Sequence, residues 1–313
     1  MKRLTAICLI IIISVVTAGC AGKPTGKKLS IVTSIFPVYD WVSNITRNTD
    51  NTELSLLLDN GVDMHSFQPS AKDIVTISDC DVFIYIGGES DAWVDDALSE
   101  KHNKNMVVIN LMDELRDRIK QEELAEGMEG EADEAADEHI WLSLRNAEEA
   151  CRVIADKLSK TDSSGKKTYS ANAESYIKQL SSLDRQYADT VNKSKLKTLL
   201  FGDRFPFRYM VDDYGLKYYA AFSGCSAETE ASFKTIAFLS KKADELGLKS
   251  VIKIENSDGR VAETIVENTK DKNQTILTLD SIQSITSDQI KSGTTYLSVM
   301  EINLSVLEKA LKE

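Results

Sequence analysis

SSGKKTYSANAESYIKQLSSLDRQYADTVNK, Ser163 to Lys193, is the stretch that divides this chain. Tyr169, Ala173, Tyr176, Ile177, Leu180, Leu183, Tyr187 and Val191 recur there at three- and four-residue steps, and neither glycine nor proline follows Gly165. That spacing predicts one long helix with a single apolar face. Sheet-forming segments lie on both sides, so the helix, taken over 163–195, is read as the connector between two domains.

Upstream, over 29–162, apolar and β-branched runs at Leu29–Ile35, Glu53–Leu58, Asp81–Ile86 and Met106–Leu111 predict four strands. Helical patterns separate them. Pro37 sits near the first helical position of one, and Ser70-Ala-Lys-Asp73 forms a capping box for the next. Downstream, over 196–313, the pattern repeats. Strands are expected at Lys197–Phe201, Leu216–Phe222, Ser250–Glu255 and Thr275–Leu279. Helices are expected from Gly202 through Val211, at Ala231–Leu246, at Val261–Asn268 and at Tyr296–Leu311. Alternating strand and helix predicts parallel α/β sheets. The segment 116–138 breaks the pattern. From Glu122 to Glu138 it is acidic and poor in large apolar residues, so it is read as a mobile loop.

The start of the chain carries an export signal. Lys2 and Arg3 precede an apolar run from Leu4 to Val16, closed by Thr17-Ala18-Gly19-Cys20. A basic start, a short apolar core and small residues at the end describe a signal peptide over 1–19. Cysteine after Ala-Gly resembles a lipobox, making Cys20 the lipidated first mature residue and 20–28 a polar tether. The protein is thus expected outside the cytoplasm, anchored to the cell membrane, as a monomer. Its net charge is −12, and loss of Lys2 and Arg3 leaves 35 basic against 49 acidic residues, or −14. Such a balance excludes nucleic acid as a partner, because phosphate contacts need a basic face. Cys80 and Cys151 fall on predicted helix faces as buried thiols, while Cys225 lies in a Ser-Gly-Cys-Ser loop; one disulfide among the three is open.

Open α/β sheets bind ligands beyond the carboxyl ends of their strands. There the chain places His65, within Gly-Val-Asp-Met-His-Ser-Phe-Gln-Pro after the second strand. It places His139, within Asp-Glu-His-Ile-Trp-Leu-Ser-Leu, beyond the fourth. Asp203 follows the first strand of the second half and Glu255 closes its third, with Asp258 just behind. Two imidazoles and two carboxylates across a cleft would make a four-coordinate metal site. His102, within Glu-Lys-His-Asn-Lys, reads as a surface residue.

With the Gly-x-Asp-x-His-x-Phe-x-Pro segment, the acidic loop entering Asp-Glu-His-Ile-Trp-Leu-Ser, the long helix and Tyr214-Gly-Leu216, nearly the whole mature chain resembles the metal-binding receptors of bacterial ABC importers for zinc and manganese. The resemblance implies two similar α/β lobes joined by one linking helix, a metal cleft between them, and delivery to a membrane permease. It implies His65 and His139 as the first two ligands. The third family position, histidine in zinc receptors and glutamate in manganese receptors, falls on Arg204, which cannot ligate; Asp203 beside it is the substitute. Glu255 fits the fourth, and Asp258, Glu228 and Glu230 are alternatives.

The expected cargo is a divalent transition metal, with zinc favoured and manganese possible, since imidazole suits zinc and carboxylate also suits manganese. Three other readings stand beside it: a manganese or iron receptor, an adhesin or structural lipoprotein in which Arg204 has displaced a ligand, and an exported metalloenzyme. The last needs an open coordination position and a general base. The sequence shows no HExxH, nucleophile elbow or Cys-His pairing, so the protein is read as no enzyme.

Overall fold

The structure is a computed structural model that describes residues 27–99, 101–128, 135–226 and 230–312. Cys20 and Glu228 lie outside these residues.

The first half runs β1 (Leu29–Thr33), α1 (Phe36–Thr46), β2 (Thr52–Leu56), α2 (Ala71–Asp79), β3 (Val82–Tyr85), α3 (Trp93–Ser99), β4 (Val107–Asn110) and a short α4 (Leu111–Glu114). Its sheet has the order β2-β1-β3-β4, all parallel. After the acidic loop come α5 (Leu144–Thr161) and the linking helix α6 (Lys166–Lys193). The second half then runs β5 (Thr198–Phe205), α7 (Arg208–Tyr214), β6 (Lys217–Ser223), α8 (Phe233–Leu246), β7 (Ser250–Ile254), α9 (Arg260–Glu267), β8 (Thr275–Leu279), α10 (Ser287–Lys291) and α11 (Tyr296–Ala310). Its order, β6-β5-β7-β8, is that of the first sheet, again parallel. Two similar parallel sheets flanked by helices thus match the expected architecture.

Local chemistry explains the element ends. Ser70 and Asp73 form the expected capping box on α2, and Pro37 opens α1. Gly215 closes α7 with φ +68°, a left-handed conformation that costs glycine least. Strand β5 runs four residues beyond its expected end, because the register against β6 slips between Phe201 and Arg204. This bulge lets Gly202 press against α9, where an added Cβ would lie 2.5 Å from the Ala262 Cα. The helix expected to start at Gly202 begins only at Arg208.

The apolar face of α6 packs on α1 and α5 of the first half and on α11 of the second. Tyr176 donates to an Asp40 carboxylate oxygen in α1 at 2.9 Å, and Tyr187 donates to the Met300 carbonyl in α11 at 2.6 Å. One core cluster runs from the first sheet through α6 into the second half, with a smaller one between β5, β6, α8 and α9.

The described part of the acidic segment, 116–128 and 135–138, is better held than its composition suggests. Gln121 bridges to Ala136, and the Glu122 amide donates to the Ala135 carbonyl at 2.9 Å. Glu123 pairs with Arg208, Glu126 lies 3.8 Å from Lys242, and Thr235 donates to the Gly127 carbonyl. Composition could not reveal Arg208, Lys242 and Thr235 as partners, because they belong to the other half of the chain.

Candidate metal centre

His65 stands in a one-turn 3-10 helix, Met64–Ser66, beyond the carboxyl end of β2. Asp63 caps that turn by accepting from the His65 amide at 3.0 Å. The Nδ1 atom of His65 lies 2.7 Å from the Ser90 hydroxyl and 3.2 Å from Glu138 Oε1. Glu138 is fixed in turn by the Ser90 amide at 3.0 Å and by the Ser90 hydroxyl. Gly88, at φ +88°, lets the chain pass: an added Cβ would come within 2.4 Å of the Glu138 carboxylate.

His139 is fully buried just before the 3-10 turn Ile140–Leu142 and α5, whose N-terminus Ser143 caps. Its backbone amide and its Nδ1 both meet Asp137 Oδ1, at 2.8 and 2.9 Å. With Nδ1 donating to a carboxylate, the Nε2 lone pair is left facing the cleft. That is the arrangement in which metal-ligating histidines are oriented and made more basic. Burial works to lower the pKa of His139, but the Asp137 carboxylate outweighs it and raises it above the ordinary value. Burial likewise works to raise Glu138; the hydrogen bond with His65, the charge of His139 and the Ser90 contacts override it and hold the carboxyl at about 2.

The two Nε2 atoms lie 3.3 Å apart. Two nitrogens each about 2.0–2.1 Å from one tetrahedral zinc would lie about 3.3–3.4 Å apart, so the imidazole pair fits such an ion. Cys225 stands beside them. Among the described residues its Sγ and one ring nitrogen of each histidine form the one group of three or more metal-type side chains whose donor atoms all lie within 4.8 Å of one another. The thiol is 3.7 Å from Glu138 Oε1, and the Cys225 amide donates to Glu122 Oε1 at 3.3 Å. Burial first, then the negative Glu138 and Glu122, push its pKa far up, so the metal-free thiol is protonated. The Cys-His pairing absent from the linear motifs is therefore made by the fold.

The other expected residues lie elsewhere. Asp203 and Glu255 are outside the histidine group; with Asp63, Arg204 and Asp258 they line an adjacent cavity of about 560 Å³ between the halves. Asp203 accepts the Arg204 amide at 2.8 Å and the Ile254 amide at 3.3 Å, so it braces the bulge of β5 and its neighbour strand. Glu255 accepts from the Ser281 amide at 2.7 Å and the Ser281 hydroxyl at 2.5 Å. Burial, and then Asp280 at the end of β8, push its pKa up to about 7. Arg204 does not enter the gap between the imidazoles; its guanidinium reaches across to Asp63 at 2.5 Å. Asp258 is exposed and pairs with Arg260, and Glu230 is exposed. Cys80 and Cys151 are buried, and all three described cysteines are free thiols. His102 is exposed beside Asp79, as expected of a surface residue.

Cys225, Asp137 and Glu138 stand against the two imidazoles, and Asp280 beside Glu255; sequence reasoning singled out none of the four as site residues. The signal for Cys225 was present: it follows β6, the edge strand of the second sheet, as His65 follows β2, the edge strand of the first. For Asp137 the signal was its place two residues before a histidine, where an aspartate caps a turn.

Comparison with known proteins gives a consistent outcome. A family described as "Zinc-uptake complex component A periplasmic" matches residues 31–310. The zinc-binding lipoprotein AdcA of Streptococcus pneumoniae (strain ATCC BAA-255 / R6) is 33% identical over 291 residues, covering 92% of this chain and 56% of that protein. The high-affinity zinc uptake system protein ZnuA of Bacillus subtilis (strain 168) is 28% identical over 320 residues, covering 99% and 98%. The chain thus spans about half the length of the AdcA proteins it matches and nearly all of the Bacillus one. The crystal structure of the Zn(II)-bound ZnuA-like domain of S. pneumoniae AdcA superposes with a TM-score of 0.73 at 30% identity, covering 91% of this chain and all of that one.

Proposed function

Because the chain belongs to the family of periplasmic zinc-uptake components, we propose that it is a receptor that captures a zinc ion outside the cytoplasm and delivers it to the membrane permease of an ABC importer. The observation that carries this reading is the 3.3 Å separation of the two Nε2 atoms, each ring held from behind through Nδ1. Relatives named as zinc-binding and zinc-uptake proteins support zinc as the cargo. Lipidation at Cys20 and a monomeric state belong to the same proposal, supported by the motif at the start of the chain and by a relative named as a lipoprotein.

Capture follows from the side chains. Asp137, Glu138 and Glu122 make the mouth of the site negative, which draws cations toward it. The imidazoles then bind through preset lone pairs, so little ordering remains to be done when the ion arrives. The match to periplasmic zinc-uptake components is why the site is read as transport and not hydrolysis. Asp203 and Glu255, whose oxygens are taken by backbone and serine donors, are assigned to the wall of the cleft.

Native mass spectrometry and zinc titration of the purified protein test the reading. One zinc ion per chain is expected, lost in His65→Ala and in His139→Ala. Protons compete for imidazole, so affinity should fall as pH drops through the histidine range. Full zinc loading in both variants would end the proposal.

A further inference from the structure

We propose that Cys225 is the third protein ligand of the cargo metal, and that its sulfur makes the site select zinc over manganese. This rests on the metal-capture reading above and deepens it. The family position expected to supply the third donor holds Arg204, which is turned away to Asp63. The second half supplies a different donor one strand over. The loop after β6 brings the Cys225 sulfur to the two imidazoles, with the three donor atoms within 4.8 Å of one another.

That loop is built against the site. A Cβ on Gly224 would lie 3.0 Å from His139 Cε1, 3.0 Å from the Phe205 carbonyl oxygen and 3.2 Å from the Pro206 Cα. A side chain there would crowd the imidazole and the Phe205–Pro206 backbone, so glycine lets the loop approach His139 closely, and the next residue is the cysteine. The Cys225 amide is tied to Glu122 of the acidic segment, so the loop is held from the first half as well.

The chemistry sets the specificity. Zinc bonds lie at about 2.3 Å for sulfur and about 2.0–2.1 Å for nitrogen, which would put Sγ about 3.6 Å from each nitrogen. Closing from within 4.8 Å is a small movement. On binding, the S–H bond breaks, its electron pair becomes the sulfur–zinc bond, and the proton leaves to solvent. Thiolate is a soft donor that suits zinc, whereas manganese prefers carboxylate, carbonyl and water oxygens. A two-imidazole, one-thiolate set therefore discriminates where two imidazoles and two carboxylates would not.

Cobalt(II) loading and thiol alkylation of the purified, reduced protein test the assignment. Expected are a thiolate-to-cobalt charge-transfer band in the near ultraviolet that is absent in Cys225→Ser, and a zinc affinity in that variant about tenfold or more below the parent. Manganese affinity should change little, so the zinc-to-manganese ratio shrinks. In the unmutated, metal-free protein Cys225 should react with iodoacetamide at alkaline pH, slowly because its thiol is largely protonated, and zinc should suppress that reaction, with buried Cys80 and Cys151 as internal controls; this readout holds even if the serine variant folds poorly. No charge-transfer band, together with unhindered alkylation in saturating zinc, overturns the inference. If His65→Ala then still abolishes zinc binding, the receptor reading survives without Cys225; if zinc binds equally in every variant, both fall.

Discussion

Asp137 is to His139 what Ser90 and Glu138 are to His65: the group behind the ring that decides which nitrogen faces the other imidazole. Partners of this kind typically account for 10- to 100-fold in metal affinity. Asp137→Ala should accordingly weaken zinc binding by about 10–100-fold while both imidazoles remain. Isothermal titration, with circular dichroism as a check on folding, would reveal it. An unchanged affinity would mean that Asp137 only caps the turn through the His139 amide. Arg204 shows why residue identity alone misleads. At the position where the resemblance expects a ligand it makes an ion pair across the cleft, tying the His65 loop to β5. The next donor had to be found by proximity.

Among the elements, α6 bears most on how the halves are held. Its Tyr176 hydroxyl meets Asp40 of α1 in a buried setting. Burial pushes the Asp40 carboxyl up to about 6 from 3.8, although Tyr176 and the Tyr296 backbone work to lower it. A carboxyl whose folded pKa is raised binds its proton more tightly in the folded state. Its contribution to stability is therefore complete below about pH 4 and is lost as pH rises through 6. The shift of roughly 2 units corresponds to about 3 kcal/mol over that window. Asp40→Asn, which stays neutral, should remove this slope. Urea unfolding of both proteins between pH 4 and 7 checks it: the difference between their stabilities should change with pH, and a constant difference would refute the assignment. The loop after β8 carries strain of another kind. Ile282 sits at φ +61°, rare for a β-branched residue, held by the hydrogen bond its amide donates to Asp280 Oδ1 at 2.7 Å. Strain of this sort gathers at functional sites, and here it adjoins the Glu255–Asp280 carboxyl pair.

Across the whole molecule, the segment carrying His139 is stitched into the second half. The Trp141 indole donates to the Ser281 carbonyl at 2.8 Å, Tyr296 donates to the Trp141 carbonyl at 2.6 Å, and Tyr209 donates to the Asp137 carbonyl at 2.6 Å. These bonds and the shared core make the two halves one packed body around the site. Trp141→Phe keeps an aromatic ring but leaves a buried carbonyl without its donor, a loss of about 1–3 kcal/mol. A drop in the denaturant midpoint of that size, with a weakened zinc affinity, is expected; a normal midpoint would show that the tie contributes nothing.

The periodicities along the chain determined the two sheets, the linking helix and the loops bearing His65 and His139, because helix and strand follow from spacing over a few residues and ligand loops follow strand ends. Where reading failed, the missing fact was distant in the chain. The bulge in β5 brings Gly202 against Ala262 of α9, Arg208 and Lys242 hold the acidic segment, and Cys225 follows a glycine packed against His139. Only the tertiary structure decided that a thiol, rather than Asp203 or Glu255, stands next to the imidazoles. Proximity between residues so far apart in sequence is set by how two sheets pack about one helix, and no local pattern encodes it.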